Sequence, residues 1–229
     1  MPSKHYNAAQ LIRRGLYDDL QSFAQLEQRI SQLGDENTKV VGDAFEVFIE
    51  GYLATHQKLQ AETVWLVGQI PLDIRQQLNL PKDAKGIDGV FRTRTGTLVP
   101  YQVKFRSQRA YLTYTVIAPF LGITERAVDR IVFTNSNELA DDVKNRDAMR
   151  TVRGVDLDTL TADELRAISG WLRQQPTSIP TLWAVEQLKP KTVLVLVPSL
   201  TLLQQTLDEW SRQNSWGNSD PYGQLPCSR

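Results

Sequence analysis

The stretch GIDGVFRTRTGTLVPYQVKF, residues 86–105, decides the fold of this chain. Two segments rich in β-branched and aromatic residues flank a polar sequence, which predicts a strand, a turn and a second strand. Thr95 and Gly96 are the expected turn residues, because glycine accepts the backbone conformations that tight turns need. The stretch therefore predicts a β-hairpin.

Apolar residues upstream of the hairpin recur every three or four positions. This spacing predicts one amphipathic helix over 8–33, closed by a glycine at 34, and another over 38–59. A strand is predicted in ETVWLVGQI, from residue 62. Downstream of the hairpin, a helix is predicted between 110 and 121, and a buried strand in AVDRIVFTNS, 127–136. The predicted order is α-α-β-β-β-α-β.

Two weaker helical patterns follow this core. Residues 137–149 predict a short helix. Thr161 and Glu164 form a capping-box pattern that predicts a helix running through Trp171.

Composition excludes several classes of protein. Of the 229 residues, 41% are hydrophobic and 23% are charged, which predicts a globular protein with a core. The 26 basic and 26 acidic residues balance, so the chain is not globally basic, although a local basic surface stays open. The single cysteine, Cys227, excludes a disulfide framework and a cysteine-based zinc site, and favours the cytoplasm. With no signal-peptide pattern and no apolar span of about 18 residues, export and membrane insertion are not expected.

Other enzyme classes lack their residues. His5 and His56 have no metal-ligand spacing, and both are predicted to lie at the surface. The chain has no GxSxG sequence, so a serine hydrolase is not expected.

The predicted hairpin carries residues suited to metal-assisted phosphodiester cleavage. Because strand side chains alternate, Gln102 and Lys104 point to one face of the second strand, and the turn can bring Asp88 beside that face. Glu46 precedes them on a predicted helix, in GDAFE. Phosphodiester cleavage uses a divalent ion, and such hard cations prefer carboxylate and carbonyl oxygens. A single Asp beside Gly is usually a turn residue, and a single Lys on a strand is usually solvated. The prediction therefore depends on the combination of these residues.

The same residues resemble the Mrr-like branch of the PD-(D/E)xK nucleases, in which Gln replaces the usual acid before x-Lys. The matching segments are GDAFEVFIEGYL, KGIDGVF, YQVKF and IVFTNS, within about residues 38–136. The resemblance implies that Asp88 and Glu46 help bind Mg²⁺ or Mn²⁺ and that Gln102 lies in the metal shell. It also implies that Lys104 orients or activates the attacking water and stabilises charge. Asp43 and Glu50, on the same helix as Glu46, stay open as alternatives to it.

Arginines with tyrosines among them surround the second strand of the hairpin. Arg92, Arg94, Arg106 and Arg109 form a composition suited to holding the phosphate backbone of DNA. The alternative is an ordinary charged sheet edge. Beside a nuclease site the DNA-contacting interpretation is favoured, and nothing in the pattern indicates base-specific recognition.

The C-terminal part differs in character. Residues 174–181, QQPTSIPT, predict a linker, and TVLVLVPS, 192–199, predicts a buried strand followed by a helix. This part resembles the early region of a superfamily 2 helicase, the motor that follows the nuclease in type ISP restriction enzymes. Because the chain has no GxxxxGK[ST] sequence, neither ATP nor any other nucleotide is expected to bind.

We therefore divide the chain into an Mrr-like nuclease domain with N-terminal helices, 1–173, and a linker with a truncated helicase-like remnant, 174–229. Alternatively, strand 192–199 pairs with the nuclease sheet or with a second copy. The expected fold is α/β: a restriction-endonuclease-like α-β-β-β-α-β core, with a mixed sheet flanked by helices and a short C-terminal α/β extension.

The expected function is divalent-metal-dependent endonucleolytic cleavage of DNA. One alternative is a catalytically weak DNA-binding remnant of a restriction nuclease-helicase. Another is an ATP-driven translocase, which would require DNA-stimulated ATPase activity. A homodimer is a hypothesis that would place two sites on the two DNA strands.

Overall fold

The computed structural model describes residues 3, 5–35, 38–81, 84–144 and 148–173. The predicted linker and helicase-like remnant, 174–229, lie outside the described residues. None of the helices within the described ranges combines the length and the apolar composition needed to cross a membrane.

The described residues form eight α-helices and five β-strands. The helices are α1 (Ala8–Arg13), α2 (Phe23–Gln32), α3 (Thr38–Thr55), α4 (Leu72–Gln77), α5 (Tyr114–Ile123), α6 (Asp141–Lys144), α7 (Gly154–Leu157) and α8 (Ala162–Arg173). The strands are β1 (Ala61–Leu66), β2 (Gly89–Thr93), β3 (Leu98–Lys104), β4 (Arg130–Thr134) and β5 (Met149–Val152).

The strands form one mixed sheet in the order β1-β2-β3-β4-β5. The first three strands are antiparallel, whereas β3, β4 and β5 run parallel. The β2–β3 hairpin turns where predicted, and Gly96 adopts a φ of +88° there, in the left-handed region that glycine enters without steric cost. The order α3-β1-β2-β3-α5-β4 gives the predicted α-β-β-β-α-β core, with the short α4 inserted between β1 and β2.

Apolar side chains cover both faces of the sheet. On one face, Phe91, Val103 and Phe133 pack with α1, α2, α3 and α8. On the other, Val90 and Val132 pack with α4 and α5. The predicted fold class is confirmed: a mixed α/β sheet flanked by helices, compatible with a restriction-endonuclease-like core.

The N-terminal helix was predicted as continuous over 8–33, and this was wrong. The chain turns between α1 and α2, where Gly15 and Asp19 have positive φ values of 69° and 50°. The Ser22 side chain then accepts the Gln25 N–H and caps the start of α2. Arg29 stabilises the turn by donating to the carbonyl oxygen of Asp18, at 2.6 Å, and to those of two neighbouring residues. These contacts override the helical spacing of the apolar residues.

Downstream predictions had the correct element types with shifted bounds. The helix predicted between 110 and 121 begins at Tyr114. Of the helix predicted over 137–149, Asp141–Lys144 is helical and Met149 begins β5, while 145–147 lie outside the described residues. The predicted capping box is confirmed, because Thr161 N–H donates to Glu164 Oε2 at 2.9 Å and Glu164 N–H donates to Thr161 Oγ1 at 3.3 Å.

Gly89 tests the packing of this sheet, because a Cβ atom there would overlap the Trp65 carbonyl oxygen and the Tyr101 ring. We expect Gly89→Ala to lower the free energy of unfolding by about 1–3 kcal/mol, the usual cost of overpacking. Gly42→Ala on α3 is the matched control, because a Cβ atom at Gly42 meets no atom within 4 Å. That helical substitution should instead stabilise by about 0.5–1 kcal/mol. Urea denaturation measures both, and equal effects would contradict this packing.

Candidate active site

Asp88 lies directly before β2 and is held by the strands on both sides. Its N–H donates to the Tyr101 carbonyl at 3.0 Å, and its carbonyl accepts the Val67 N–H at 3.0 Å. Tyr101 also pairs with Gly89, so two consecutive residues face one residue of β3, as in a β-bulge. Bulges redirect side chains, and here the Asp88 carboxylate Oδ2 accepts the Val103 N–H at 2.6 Å.

Gln102 and Lys104 flank Val103 on β3. The hydrogen bond to Asp88 is therefore made by the residue that lies between them in the strand. Val103 packs in the core on the α3 side, and strand alternation directs its two neighbours to the opposite face, as predicted. Gln102 is only 2% exposed, yet its Oε1 atom has no hydrogen-bond partner among the described residues. Lys104 is half-buried. A buried amide oxygen without a partner costs free energy that a bound cation would recover.

The pKa of Asp88 is raised from its ordinary value of 3.8 to about 7. Burial contributes most, followed by repulsion from the Glu46 carboxylate. The Lys104 charge and the Val103 N–H act in the opposite direction and lower the pKa. Asp88 and Glu46 are therefore within electrostatic range of each other.

The same carboxylates affect Tyr101, which precedes Gln102 on β3. Its hydroxyl is buried without a hydrogen-bond partner among the described residues. Burial raises the pKa of Tyr101 well above its ordinary value, and the charges of Glu50, Asp88 and Glu46 raise it further. The acidic residues of α3 thus extend toward the start of β2.

Asp43, Glu46 and Glu50 are spaced three and four positions apart and share one face of α3. The carboxylates of two of them accept hydrogen bonds from the N-terminal segment, residues 3 and 5–7. Asp43 Oδ2 accepts from the Tyr6 hydroxyl and from Asn7 Nδ2, each at 2.6 Å.

Glu50 is buried at the other end of this face and accepts from Ser3 Oγ at 2.5 Å. The Glu46 side chain, by contrast, is 31% exposed, and its charge acts directly on Asp88. Among the three acids left open by the sequence, Glu46 is thus the one whose carboxylate is least enclosed by other groups.

His5 is the residue that the sequence analysis missed. It was predicted to lie at the surface, but it is only 8% exposed. Its Nε2 atom lies 3.3 Å from Glu46 Oε2 and 3.9 Å from Asp43 Oδ1. The ligand atoms of these three residues all lie within 4.8 Å of one another. The acidic spacing on α3 could have been read from the sequence, whereas no sequence pattern links His5 to a helix more than 30 residues away.

His56 was also predicted to lie at the surface, and it is half-buried at the end of α3. Its ring stacks on Tyr52, and Nε2 lies 3.3 Å from Glu164 Oε1 on α8. Burial lowers the pKa of His56, while Glu164 acts in the opposite direction. His56 thus joins α3 to α8.

Arg92 and Arg94 lie toward the turn end of the hairpin. The Arg92 guanidinium stacks over Trp65, 5.5 Å from the ring centre, and Nε lies 3.4 Å from Glu62 Oε2. Arg94 is exposed at the turn itself. Both side chains are placed where a bound polyanion could reach them.

Arg106 follows β3 and is half-buried. Its N–H donates to Asn135 Oδ1 at 2.6 Å and its carbonyl accepts from Asn135 Nδ2 at 2.9 Å, so the backbone here is fixed to the end of β4. The Arg106 Nε atom has no hydrogen-bond partner among the described residues.

Arg109 has a different environment from the other three arginines. Its guanidinium donates to both carboxylate oxygens of Glu27, to both of Asp158 and to Asn137 Oδ1. Hydrogen bonds to Asp158 and Glu27 raise the pKa of Arg109. This side chain ties α2 to the segment after α7, and its donors are already occupied, so we leave it out of the proposed DNA contacts.

No protein-family model matches the chain, and no curated protein sequence matches it. Among solved structures, the chain is similar to an "ATP-dependent Type ISP restriction-modification enzyme LlaBIII bound to DNA". The aligned part is 17% identical with a TM-score of 0.43, and it covers 58% of this chain but only 8% of that enzyme.

The raised pKa of Asp88 predicts a pH-dependent effect of Asp88→Asn on stability. A carboxyl with a pKa near 3.8 when unfolded and about 7 when folded favours the folded state at low pH, and this contribution is lost as the pH rises through 7. Without metal, Asp88→Asn should be more stable than the wild type above pH 7. Its advantage should shrink by up to about 1.4 kcal/mol per pH unit below that and vanish near pH 4.

Chemical denaturation between pH 4 and pH 8 measures this difference, with the exposed Asp73→Asn on α4 as control. The Asn amide oxygen can still accept the Val103 N–H, so the comparison isolates the charge. A mutant that is less stable than the wild type at pH 8 would contradict the proposed electrostatics.

Proposed function

We propose that this chain is a divalent-metal-dependent DNA endonuclease whose centre consists of Asp88, Glu46, Gln102 and Lys104. The observation that carries the proposal is the Asp88 carboxylate: it is repelled by Glu46 and accepts the N–H of Val103, the residue between Gln102 and Lys104. The buried Gln102 Oε1 has no hydrogen-bond partner among the described residues. Two carboxylates and an amide oxygen are a donor set that a divalent cation can use. The resemblance to Mrr-like PD-(D/E)xK nucleases supplies the reaction class.

The donor set fits Mg²⁺ or Mn²⁺. Asp88, Glu46 and Gln102 offer only oxygen atoms, which suit hard divalent cations better than zinc or copper. A bound ion would polarise the scissile phosphate and make the attacking water more acidic. Because Gln102 is neutral, we expect modest metal affinity until a DNA phosphate joins the site.

Lys104 supplies the positive charge of the centre. Its charge acts on Asp88, so its ammonium group lies within electrostatic range of that carboxylate. From this position Lys104 would orient the attacking water and stabilise the negative charge that develops on the phosphate. The main-chain bond from Val103 to Asp88 keeps this part of β3 aligned with the start of β2.

DNA is the proposed substrate and partner. Arg92, Arg94 and Arg106 lie on the hairpin and just after it, and each presents a guanidinium that can bind phosphate oxygens. Such contacts position the backbone without reading the bases, so the proposal includes no sequence specificity. A homodimer that acts on both strands remains part of the proposal, and analytical ultracentrifugation tests it.

We also propose that the protein acts in the cytoplasm without ATP. The single cysteine favours a reducing compartment, and no phosphate-binding GxxxxGK[ST] loop occurs in the sequence. A DNA-binding remnant of a restriction nuclease-helicase is the second candidate. The neutral Gln102 favours it, because two carboxylates bind a divalent ion less strongly than three.

Lys104→Ala distinguishes these two functions. Purified protein is incubated with supercoiled plasmid, methylated and unmethylated, with and without Mg²⁺ or Mn²⁺. We expect metal-dependent nicking or linearisation that falls about 10²-fold or more in Lys104→Ala, because the mutant loses charge stabilisation in the transition state. The exposed Lys58→Ala is the control. A folded wild type that binds DNA but cuts neither plasmid would favour the DNA-binding remnant.

Gln102→Glu tests the metal site without DNA. A third carboxylate should tighten Mn²⁺ binding by about tenfold, because carboxylates are better ligands than amides for hard cations. It should also destabilise the metal-free protein above pH 7 by adding repulsion next to Asp88. Isothermal titration calorimetry measures the affinity, with Gln102→Leu as the variant that lacks an oxygen ligand. Equal Mn²⁺ affinity in all three proteins would exclude Gln102 from the metal shell.

A further inference from the structure

His5 contacts Glu46 and has no part in the proposed chemistry. It is buried, and its Nε2 atom lies 3.3 Å from Glu46 Oε2. This contact joins the N-terminal segment to the acidic face of α3. Its role depends on which imidazole nitrogen carries the proton.

The hydrogen bonds of the ring decide this. The Asn7 N–H donates to His5 Nδ1 at 3.3 Å, so Nδ1 is an acceptor and the ring proton lies on Nε2. A histidine that binds a metal through Nε2 normally donates a proton from Nδ1 to an outer partner. Here Nδ1 already accepts a main-chain N–H, which disfavours His5 as a metal ligand. Its Nε2 atom instead lies 3.3 Å from Glu46 Oε2.

Neighbouring contacts fix the ring in place. The imidazole stacks on Tyr6, with ring centres 4.7 Å apart, and Tyr6 in turn donates its hydroxyl to Asp43. Asn7 donates to the same Asp43 oxygen. Asp43 thus anchors the N-terminal segment one helical turn before Glu46, and the segment presents the imidazole to that carboxylate.

We propose that His5 is a positioning residue for Glu46, an inference that rests on the proposed nuclease function. Glu46 is partly exposed and is repelled by Asp88, so both solvation and electrostatics favour its movement away from the site. A fixed Nε2–H donor opposes that movement. His5 thereby holds the Glu46 carboxylate in the position from which its charge acts on Asp88.

The test compares His5→Leu and His5→Gln with the wild type. Leu removes the donor, whereas the Gln Nε2 amide can place an N–H close to the position of the histidine Nε2–H. His56→Leu is the matched control, because His56 Nε2 also lies 3.3 Å from a carboxylate but at the far end of α3. Mn²⁺ affinity is measured by calorimetry without DNA, plasmid cleavage is followed against metal concentration, and thermal unfolding is recorded for each variant.

For His5→Leu we expect Mn²⁺ binding about 10–100-fold weaker, the usual effect of losing a partner that orients a ligand. The metal concentration for half-maximal cleavage should rise in parallel, while the rate at saturating metal stays near that of the wild type. His5→Gln should restore the affinity to within a few fold, and His56→Leu should leave it unchanged.

Several results would overturn the proposal. Unchanged Mn²⁺ affinity in His5→Leu, with an active wild type, would exclude positioning and leave the nuclease function intact. Equal loss in His5→Leu and His5→Gln, accompanied by lower thermal stability, would make His5 merely structural. Stoichiometric Zn²⁺ binding that His5→Leu abolishes would make it a ligand. A wild type that neither binds Mn²⁺ nor cuts DNA would refute the nuclease function and the positioning role together.

Discussion

The hydrogen bond from the Val103 N–H to the Asp88 carboxylate is the interaction on which the candidate site depends. It joins the start of β2 to the end of β3 at the point where two residues face Tyr101. The same bond holds a carboxylate that burial and the Glu46 charge would otherwise expel or neutralise. The sheet therefore retains an electrostatically unfavourable group with a single main-chain donor and the charge of Lys104, and a cation would complete the arrangement.

Helix α3 serves the core and the site at once. One side carries buried apolar residues, including Phe45 and Phe48, that pack against the sheet and α2. Another face carries Asp43, Glu46 and Glu50, and burying acids beside an apolar core is costly unless each is paired. The N-terminal segment supplies those partners, so its contacts stabilise the fold and also determine which carboxylate stays accessible.

The sequence predicted the parts of this structure that local patterns encode. The hairpin follows from Gly96 between two apolar segments, α3 follows from its helical spacing, and the capping box follows from Thr161 and Glu164. What it did not predict depends on partners distant in sequence or on backbone geometry. The break between α1 and α2 needs the left-handed conformation at Gly15, and nothing in the local pattern separates that glycine from a tolerated one.

The residues of the candidate site also differ in whether the sequence predicts their proximity. Asp88, Gln102 and Lys104 lie on one hairpin, so their proximity follows from strand pairing, whereas the contact of His5 with Glu46 spans 41 positions and has no periodic signal. Arg109 illustrates the converse. Its neighbours in sequence suggested a phosphate contact, but Glu27, 82 positions earlier, and Asp158 occupy its guanidinium.

That use of Arg109 has a consequence for the site itself. The Glu27 carboxylate also accepts from Asn135 Nδ2 at 2.8 Å, and Asn135 bonds both main-chain groups of Arg106, two residues beyond Lys104. A partly buried network in which most members make more than one hydrogen bond restricts the movement of the segments that it joins. Arg109 thus helps to hold the end of β3 in place through Glu27 and Asn135. We therefore assign the proposed phosphate contacts to the arginines whose side chains lie outside that network. Lys104 is the last residue of β3, at the end of the strand that the network holds in place.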